Sequence, residues 1–245
     1  MKSTMDIRDF YDNEALASAR YATAHFWERR YHIKRKAFVQ KLLEKSFKSC
    51  KTYLDIGCGT GEYLSFARQF ADYVCGLDIS KNYLHRCKSR KADDLIIGDS
   101  NNLPFQNQAF DCVLCSEVIE HIKPHETAIR EILRVSKKFA VVSTPNHGLL
   151  RMLMAKLGRQ KLSSLDAEVG HINILRFQEL MPKFKSHGWR VSAAFTVSVF
   201  PPFLDVIHFP KAIAPIIDLL ERAMDKSLNA MGSVTIIDLE CSAEP

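Results

Sequence analysis

The chain lacks any apolar run long enough to span a bilayer, although 47% of its 245 residues are hydrophobic. A transmembrane helix needs about 20 consecutive apolar residues, so the sequence predicts no transmembrane segment. The first residues, Met1 to Asp6, also lack the apolar centre of a secretory signal peptide. Internal repeats and low-complexity linkers are missing as well. A single domain covering residues 1–245 is therefore the simplest division of the chain.

The cysteine count argues against an extracellular disulfide framework. There are seven cysteines, an odd number, and they are scattered through predicted strands and helices. This usage is typical of a reducing compartment and predicts a cytoplasmic protein. The net charge of +6 and the isoelectric point near 8.9 are compatible with RNA, anionic lipid or acidic substrates and diagnostic of none of them.

The most informative stretch present is Tyr53-Leu54-Asp55-Ile56-Gly57-Cys58-Gly59-Thr60-Gly61, an apolar run with an acid, followed by three alternating glycines. The pattern predicts the first strand of a doubly wound α/β sheet turning into a helix. Glycines in such a turn remove the Cβ atoms where a ligand must approach the backbone. The stretch therefore predicts a site for a nucleotide-like ligand.

Three later apolar runs also end in acids. The runs beginning at Tyr73, Leu95 and Phe110 lead to Asp78, Asp99 and Glu117, respectively. Because the carboxyl ends of parallel strands meet at one edge of a sheet, these acids are predicted to lie near the glycine turn. The turn itself does not fit a nicotinamide dinucleotide, whose fingerprint needs a third glycine where this chain has Glu62. A carboxylate there would also oppose a pyrophosphate at the helix start.

Together these residues resemble the class I S-adenosylmethionine-dependent methyltransferases, most clearly over residues 52–143. The resemblance implies that the cofactor is S-adenosyl-L-methionine. It also implies that Asp55 and the loop residues Gly57, Cys58, Gly59 and Gly61 hold the methionine part of the cofactor.

The same resemblance assigns the later strand ends. Asp78, followed by Ile79, would meet the ribose, and Asp99 with the Ser100 backbone would meet the adenine amino group. Ser116 and Glu117 complete the predicted cofactor site, and they open a run through His121 that looks like a later motif of the family. One departure is Ser136-Lys137-Lys138, predicted as the turn before the fifth strand, where the family often has Pro-Gly-Gly.

The family fold is a Rossmann-like, seven-stranded, mostly parallel sheet with helices on both faces and an antiparallel last strand. Within it we predict an N-terminal helical segment (residues 1–51), a cofactor-binding half (52–143), and substrate-cap insertions with the last strands (144–245). The likeness places the last two strands at residues 191–197 and 234–239. Crossover helices are expected near residues 62–70, 80–89 and 125–136, and a further helix is expected to start near Phe177.

The N-terminal segment contains a predicted helix, Phe26 to Lys48. Its apolar residues at near-helical spacing are Ile33, Ala37, Phe38 and Leu42. They would pack beneath a basic face formed by Arg29, Arg30, Lys34, Arg35 and Lys36. This face could contact RNA, although a solvated helix face is the commoner explanation.

Two apolar segments, residues 149–157 and 200–220, are not explained by the sheet and its crossovers. As insertions in this family usually do, they would roof the acceptor pocket over the fourth and fifth strands, which implies a small or lipophilic acceptor. Extra core or a dimer contact explains them equally well, so a monomer and a homodimer both stay open. Basic residues in and after the first segment allow a weak membrane-surface contact: Arg151, Lys156, Arg159 and Lys161.

Methyl transfer from a sulfonium needs few catalytic side chains, because the cofactor supplies the leaving group. The candidates are Glu120, His121 and His171, each able to shape or deprotonate the acceptor; His147 is a further candidate, and a structural role explains each of these residues equally well. Glu117, Glu120 and His121 would share one face of a helical turn and, with His171, could hold a divalent cation. The sequence favours a site without metal.

Three classes of function stay open. The leading one is a methyltransferase acting on a small or lipophilic acceptor by in-line displacement. The second is an RNA or protein methyltransferase, possibly metal-assisted, and the third is a non-catalytic S-adenosylmethionine-binding regulatory protein.

Overall fold

The computed structural model describes residues 26–47, 50–87, 91–146, 177–197, 210–216, 219 and 234–241. The strands are β1 (Thr52–Ile56), β2 (Tyr73–Asp78), β3 (Asp94–Ile97), β4 (Phe110–Ser116), β5 (Ser136–Pro145), β6 (Trp189–Val197) and β7 (Val234–Cys241). The α-helices are α1 (Phe26–Phe47), α2 (Leu64–Ala67), α3 (Lys81–Cys87), α4 (His125–Val135) and α5 (Phe177–Ser186). Short 3-10 turns span Ile119–His121 and Lys211–Ile213.

The seven strands form one sheet in the order β3-β2-β1-β4-β5-β7-β6. Neighbouring strands among β1 to β5 pair in parallel, and β7 pairs antiparallel with both β5 and β6. This is the predicted Rossmann-like sheet with an antiparallel last strand. The parallel strands bring the carboxyl ends of β1 to β5 to one edge of the sheet, which we call the carboxyl edge.

Buried apolar side chains form two clusters, one on each face of the sheet. Strand alternation divides them, because successive side chains point to opposite faces. Cys112 belongs to one cluster and Cys115 to the other, so the C-x-x-C spacing on β4 brings no pair of thiols together. On α4 the predicted face of Ala128, Ile129 and Ile132 is buried against the sheet.

The buried face of α1 agrees with the predicted one only in part: Leu42 is buried and Phe38 packs against the core, but Ala37 is exposed. Ile33 is 60% exposed, whereas Tyr31 and Arg35 are 7% and 5% exposed. The buried positions recur at helical spacing and comprise Tyr31, Arg35, Val39, Leu42 and Leu43. The rest of the prediction failed because it assigned Arg35 to the solvent by its charge, whereas the acidic partners of Arg35 lie on distant parts of the chain.

The predicted turn at Ser136-Lys137-Lys138 is also wrong. Helix α4 ends at Val135 and β5 begins with Ser136. The Ser136 hydroxyl donates to the Ile132 carbonyl at 2.6 Å, so it satisfies a carbonyl of the last helical turn while the backbone becomes extended. No separate turn is therefore needed at this junction.

No helix in the described part of the chain is both long and apolar enough to cross a membrane. Most of the two predicted cap segments falls outside the described residues, so their role as a roof stays a prediction. Of the second segment, Pro210 to Ile216 and Leu219 are described, and Ile216 and Leu219 expose 60% and 70% of their surface.

Candidate cofactor and acceptor site

The glycine loop between β1 and α2 has the backbone conformation that its sequence predicts. Gly57, Gly59 and Gly61 all have positive φ angles, of 68°, 51° and 77°. The Gly57 and Cys58 amides both donate to the Leu77 carbonyl, at 2.7 and 3.0 Å. These bonds fix the loop against the end of β2.

The Asp78 carboxylate shapes the same loop. Its Oδ2 accepts the Gly59 amide at 2.8 Å, and its Oδ1 accepts the Ser80 amide at 2.8 Å. Each carboxylate oxygen has a second lone pair. Asp78 can therefore hold the loop and still accept a hydroxyl from a ligand.

Asp55 lies on β1 just before the loop and is 2% exposed. Its Oδ2 has no hydrogen-bond partner among the described residues. Burial raises the pKa of the Asp55 carboxyl well above its usual range, and the nearby Cys87 thiol and Asp78 carboxylate raise it further. A buried polar atom that lacks a partner is costly, and a bound ligand would supply one here.

The other predicted cofactor residues also lie at the carboxyl edge. Asp99 follows β3, is exposed, and accepts the Asn101 amide on Oδ1 at 2.8 Å. Ser100 is buried, and Ile79, next to Asp78, is partly exposed. Asp99 and Ser100 are thus held by a local turn that leaves the aspartate side chain accessible.

Glu117 directly follows β4 and has a backbone conformation that is uncommon for a residue with a side chain, at a φ of 58°. Its Oε1 accepts the Ser143 hydroxyl at 3.0 Å, and its Oε2 accepts the Tyr31 hydroxyl at 3.4 Å. The Arg35 guanidinium lies 3.3 Å from the same Oε2. Three elements, α1, β4 and β5, therefore meet at this one carboxylate.

Ser116 and Ser143 join the two central strands beside Glu117. Their hydroxyl oxygens are 2.9 Å apart. Since the Ser143 proton is directed to Glu117, Ser116 is the donor of this bond. Both hydroxyls are thereby fixed next to the predicted cofactor site.

Glu120 is 1% exposed, and its Oε2 accepts the Thr144 hydroxyl at 3.3 Å. Its Oε1 lies 3.7 Å from His121 Nε2 and has no hydrogen-bond partner among the described residues. Burial raises the pKa of the Glu120 carboxyl well above its usual range, and the neighbouring Glu117 raises it further. The Glu120 carboxyl therefore holds its proton more tightly than an exposed glutamic acid does.

The idea that Glu117, Glu120 and His121 share one helical face is wrong. Only Ile119–His121 is helical, as a 3-10 turn, and the positive φ of Glu117 places it outside that turn. Within the described ranges no three His, Cys, Asp or Glu side chains are grouped to hold a metal ion. His147 and His171 lie outside those ranges, so their predicted roles stay predictions.

Sequence reasoning missed four side chains that border the site: Tyr31, Arg35, Ser143 and Thr144. Ser143 and Thr144 come near the end of β5, where a polar pair in a buried strand was a usable signal. Arg35 gave no such local signal, because its partner Glu117 lies far along the chain.

Comparison with known proteins agrees with this geometry. A family model described as a methyltransferase domain matches residues 54–142. A malonyl-[acyl-carrier protein] O-methyltransferase of Hamiltonella defensa is 30% identical over 199 residues, which are 79% of this chain and 74% of that protein. The chain belongs to the class I S-adenosylmethionine-dependent methyltransferases. Its cofactor is S-adenosyl-L-methionine.

Other relatives of this methyltransferase match over shorter parts of their length. An uncharacterised protein of Methanocaldococcus jannaschii is 33% identical over 142 residues, or 55% of this chain and 61% of that protein. The chain therefore spans less than two thirds of that relative.

Magnesium protoporphyrin IX methyltransferase from Synechocystis, solved with bound SAH, has a TM-score of 0.68 at 14% identity, covering 96% of this chain and 98% of its own. That likeness concerns the fold.

Two glycines of the methyltransferase loop provide a matched pair for mutation. A Cβ on Gly57 would lie 2.3 Å from the Val118 Cγ2 atom, whereas a Cβ on Gly59 would meet nothing within 4 Å among the described atoms. Both residues have positive φ. We expect Gly57→Ala to lower the free energy of unfolding by roughly 2 to 5 kcal/mol and Gly59→Ala by about 1 to 2 kcal/mol.

Urea unfolding of both variants measures this difference. Adding Val118→Ala to Gly57→Ala should recover part of the loss, because it removes the atom that the new methyl group meets. Equal losses in the two single variants would show that backbone conformation, and not the contact with Val118, decides the glycine at position 57.

Proposed function

We propose that this methyltransferase transfers a methyl group from S-adenosylmethionine to a small or lipophilic acceptor by in-line displacement. The observation that carries the proposal is the cluster of buried polar groups at the carboxyl edge. Asp55 and Glu120 each have a buried carboxyl oxygen without a partner among the described residues. Asp55 lies on β1, and Glu120 follows the neighbouring strand β4. A cofactor and an acceptor bound side by side there would satisfy both.

In the proposed cofactor site, the loop from Gly57 to Gly61 approaches the methionine part of the cofactor. Asp78 accepts ribose hydroxyls on its remaining lone pairs, and the exposed Asp99 accepts the adenine amino group. Ser116 and Glu117 border the site on the β4 side. S-adenosylmethionine brings a sulfonium charge that is lost as the methyl group moves, so a carboxylate-rich edge suits the bound cofactor.

In the proposed acceptor site, Glu120 and His121 face the side of the cofactor where β4 and β5 end. Glu120 Oε1 and His121 Nε2 lie 3.7 Å apart, which is beyond hydrogen-bond distance, so the two groups form a pair that a polar acceptor atom could bridge. A proton removed from the acceptor as it attacks the methyl group would be taken up by this pair. The strand ends and the two predicted cap segments would exclude water.

The Hamiltonella relative supports a small acceptor, since its name assigns it O-methylation of a malonyl group carried by a protein. An RNA acceptor draws its support from the basic side of α1, where Arg29, Lys41 and Lys45 are exposed. An aromatic and a basic residue of the helix, Tyr31 and Arg35, face the protein interior. This reduces the basic surface available to a nucleic acid.

The experiment that tests the function uses S-adenosylmethionine labelled in its methyl group, incubated with the chain and fractions of a cell extract. The products are separated into lipid, small-molecule, RNA and protein pools. We expect label in the lipid or small-molecule pool. Label in RNA or protein would favour the second class of function, and binding of the cofactor without any labelled product would favour a regulatory protein.

Methyl transfer to the acceptor found in this way is expected to proceed unchanged in excess EDTA. Glu117 is engaged by Arg35, Tyr31 and Ser143, so it is not free to bind a cation together with Glu120. Rates measured with and without the chelator check this. Loss of activity that magnesium or manganese restores would instead assign Glu117, Glu120, His121 and His171 as metal ligands.

A further inference from the structure

Arg35, the buried cation of α1, lies between two carboxylates that flank the glycine loop. The Arg35 guanidinium is 3.3 Å from a Glu117 oxygen and 4.0 Å from a Glu62 oxygen. Glu62 directly follows Gly61, and Glu117 directly follows β4, the strand beside β1. Arg35 therefore reaches the carboxyl edge where the loop and the end of β4 face each other.

The need to neutralise the Glu62 charge does not by itself explain why Arg35 is buried here. Lys36 already pairs with the other Glu62 oxygen at 3.3 Å, and it does so at the surface with 38% of its side chain exposed. Burying a charged group is costly unless its contacts compensate for the lost water. Arg35 is nevertheless buried, with 6% of its side chain exposed.

The contacts of Glu117 fix the position of its carboxylate and of the Arg35 guanidinium beside it. Its carboxylate is fixed by the Ser143 and Tyr31 hydroxyls, and its backbone keeps an unfavourable positive φ. Local strain of this kind is concentrated at functional sites. A guanidinium has five N–H donors in a planar fork that matches a carboxylate, so fixing one side of the fork orients the rest.

We propose that Arg35 binds the carboxylate of the cofactor's methionine part, with Glu117 as its positioning residue. The proposal rests on the cofactor site described under the proposed function. The methionine part carries one carboxylate and one ammonium, and the edge offers both signs of charge: the Arg35 cation, and the carboxylates of Glu62 and Glu117. Helix α1 is thus a wall of the cofactor site, joined to it by Arg35.

The test compares two ligands that differ only in this carboxylate, S-adenosylmethionine and decarboxylated S-adenosylmethionine. Calorimetry on the native chain is expected to show about tenfold to hundredfold tighter binding of the first. Arg35→Gln should weaken S-adenosylmethionine by about the same factor and leave the decarboxylated ligand within about twofold. The preference for the carboxylate then disappears.

Lys36→Gln is the matched control. It also removes a cation beside Glu62, yet Lys36 has no contact with Glu117 among those described, so this variant should keep the native preference. Arg35→Lys retains the charge without the planar fork, and it should lose most of the preference. It also provides a measurable variant if Arg35→Gln fails to fold, as judged by thermal unfolding without ligand.

Three results would overturn the assignment. The preference could persist in both Arg35 variants, or both ligands could weaken equally, which is what a purely structural role predicts. A native chain with no preference would also exclude a carboxylate-binding arginine. If the native chain bound neither ligand, the proposed cofactor site itself would be wrong. That last result is distinct from absent methyl transfer, since binding is measured without any acceptor.

Discussion

Replacing Asp78 by alanine is expected to weaken the binding of S-adenosylhomocysteine by on the order of 2 to 4 kcal/mol, roughly thirtyfold to a thousandfold. Two losses add up in this variant. The ribose hydroxyls lose their charged acceptor, and the Gly59 amide loses the Oδ2 atom that it bonds at 2.8 Å. The bonds from the Gly57 and Cys58 amides to the Leu77 carbonyl remain, but the Gly59 side of the loop is held less tightly.

Calorimetry with Asp78→Ala measures the loss, and Asp93→Ala is the control. Asp93 accepts the Val74 amide at 2.7 Å and pairs with Arg68, but it lies before β3, at the opposite edge of the sheet. Its removal should cost stability and leave cofactor affinity unchanged. Comparable affinity losses in the two variants would mean that Asp78 acts only through folding.

Replacing Glu120 by glutamine is expected to separate activity from stability. Methyl transfer should fall roughly a hundredfold or more if this carboxyl moves a proton, while the folded state gains stability at alkaline pH. The gain follows from linkage. Burial raises the pKa of Glu120 above its ordinary value of 4.5, so the folded chain holds this proton more tightly than the unfolded chain does.

The sign of the pH dependence follows directly. Between 4.5 and the raised pKa, the folded state keeps a proton that the unfolded state has released, so the contribution of Glu120 to stability falls as the pH rises through that window. Glutamine never ionises. The stability difference between Glu120→Gln and the native chain should therefore be small near pH 4.5 and grow toward pH 8.

Glu131→Gln supplies a control of opposite sign. Arg134 donates to the Glu131 carboxylate and lowers the pKa of that group below its usual value. Its stabilising effect is present above 4.5 and is lost as the pH falls through the lowered pKa. Thermal unfolding from pH 4 to 8 should show this variant destabilised at neutral pH. A Glu120→Gln difference that stays constant with pH would contradict a raised pKa.

The parts of the fold that could be predicted are those whose signal is local. Strands β1 to β4 are short apolar runs ending in a polar group, and the loop from Gly57 requires glycine for its positive φ angles, so both were readable from adjacent residues. The buried face of α1 could not be read that way. Arg35 is buried because of Glu117, which lies 82 positions further along the chain, and no periodicity within the helix contains that partner.

The sequence predicted which acids end the strands at the candidate site, and it missed the side chains of α1 and β5 that contact them. Asp55, Asp78 and Glu117 do lie at one edge of the sheet, because strand order follows from the doubly wound topology. The conformation of Glu117 was not foreseeable, since a positive φ at a glutamate is decided by tertiary contacts with Tyr31, Arg35 and Ser143. The predicted shared face of Glu117, Glu120 and His121 depended on a regular helical turn there, and it is absent for the same reason.

The place of β7 between β5 and β6 has a consequence for how the chain is made. Among the described strands, β6 pairs with β7 and no other, although β7 is synthesised later. During translation, β6 therefore emerges with both of its hydrogen-bonding edges bare, and its register waits for residues 234–241. Bare edges recruit other strands, so the nascent chain is open to wrong pairings at β6 throughout this interval. A ribosome that stalls within β7 would leave two strands of the sheet undocked, rather than one.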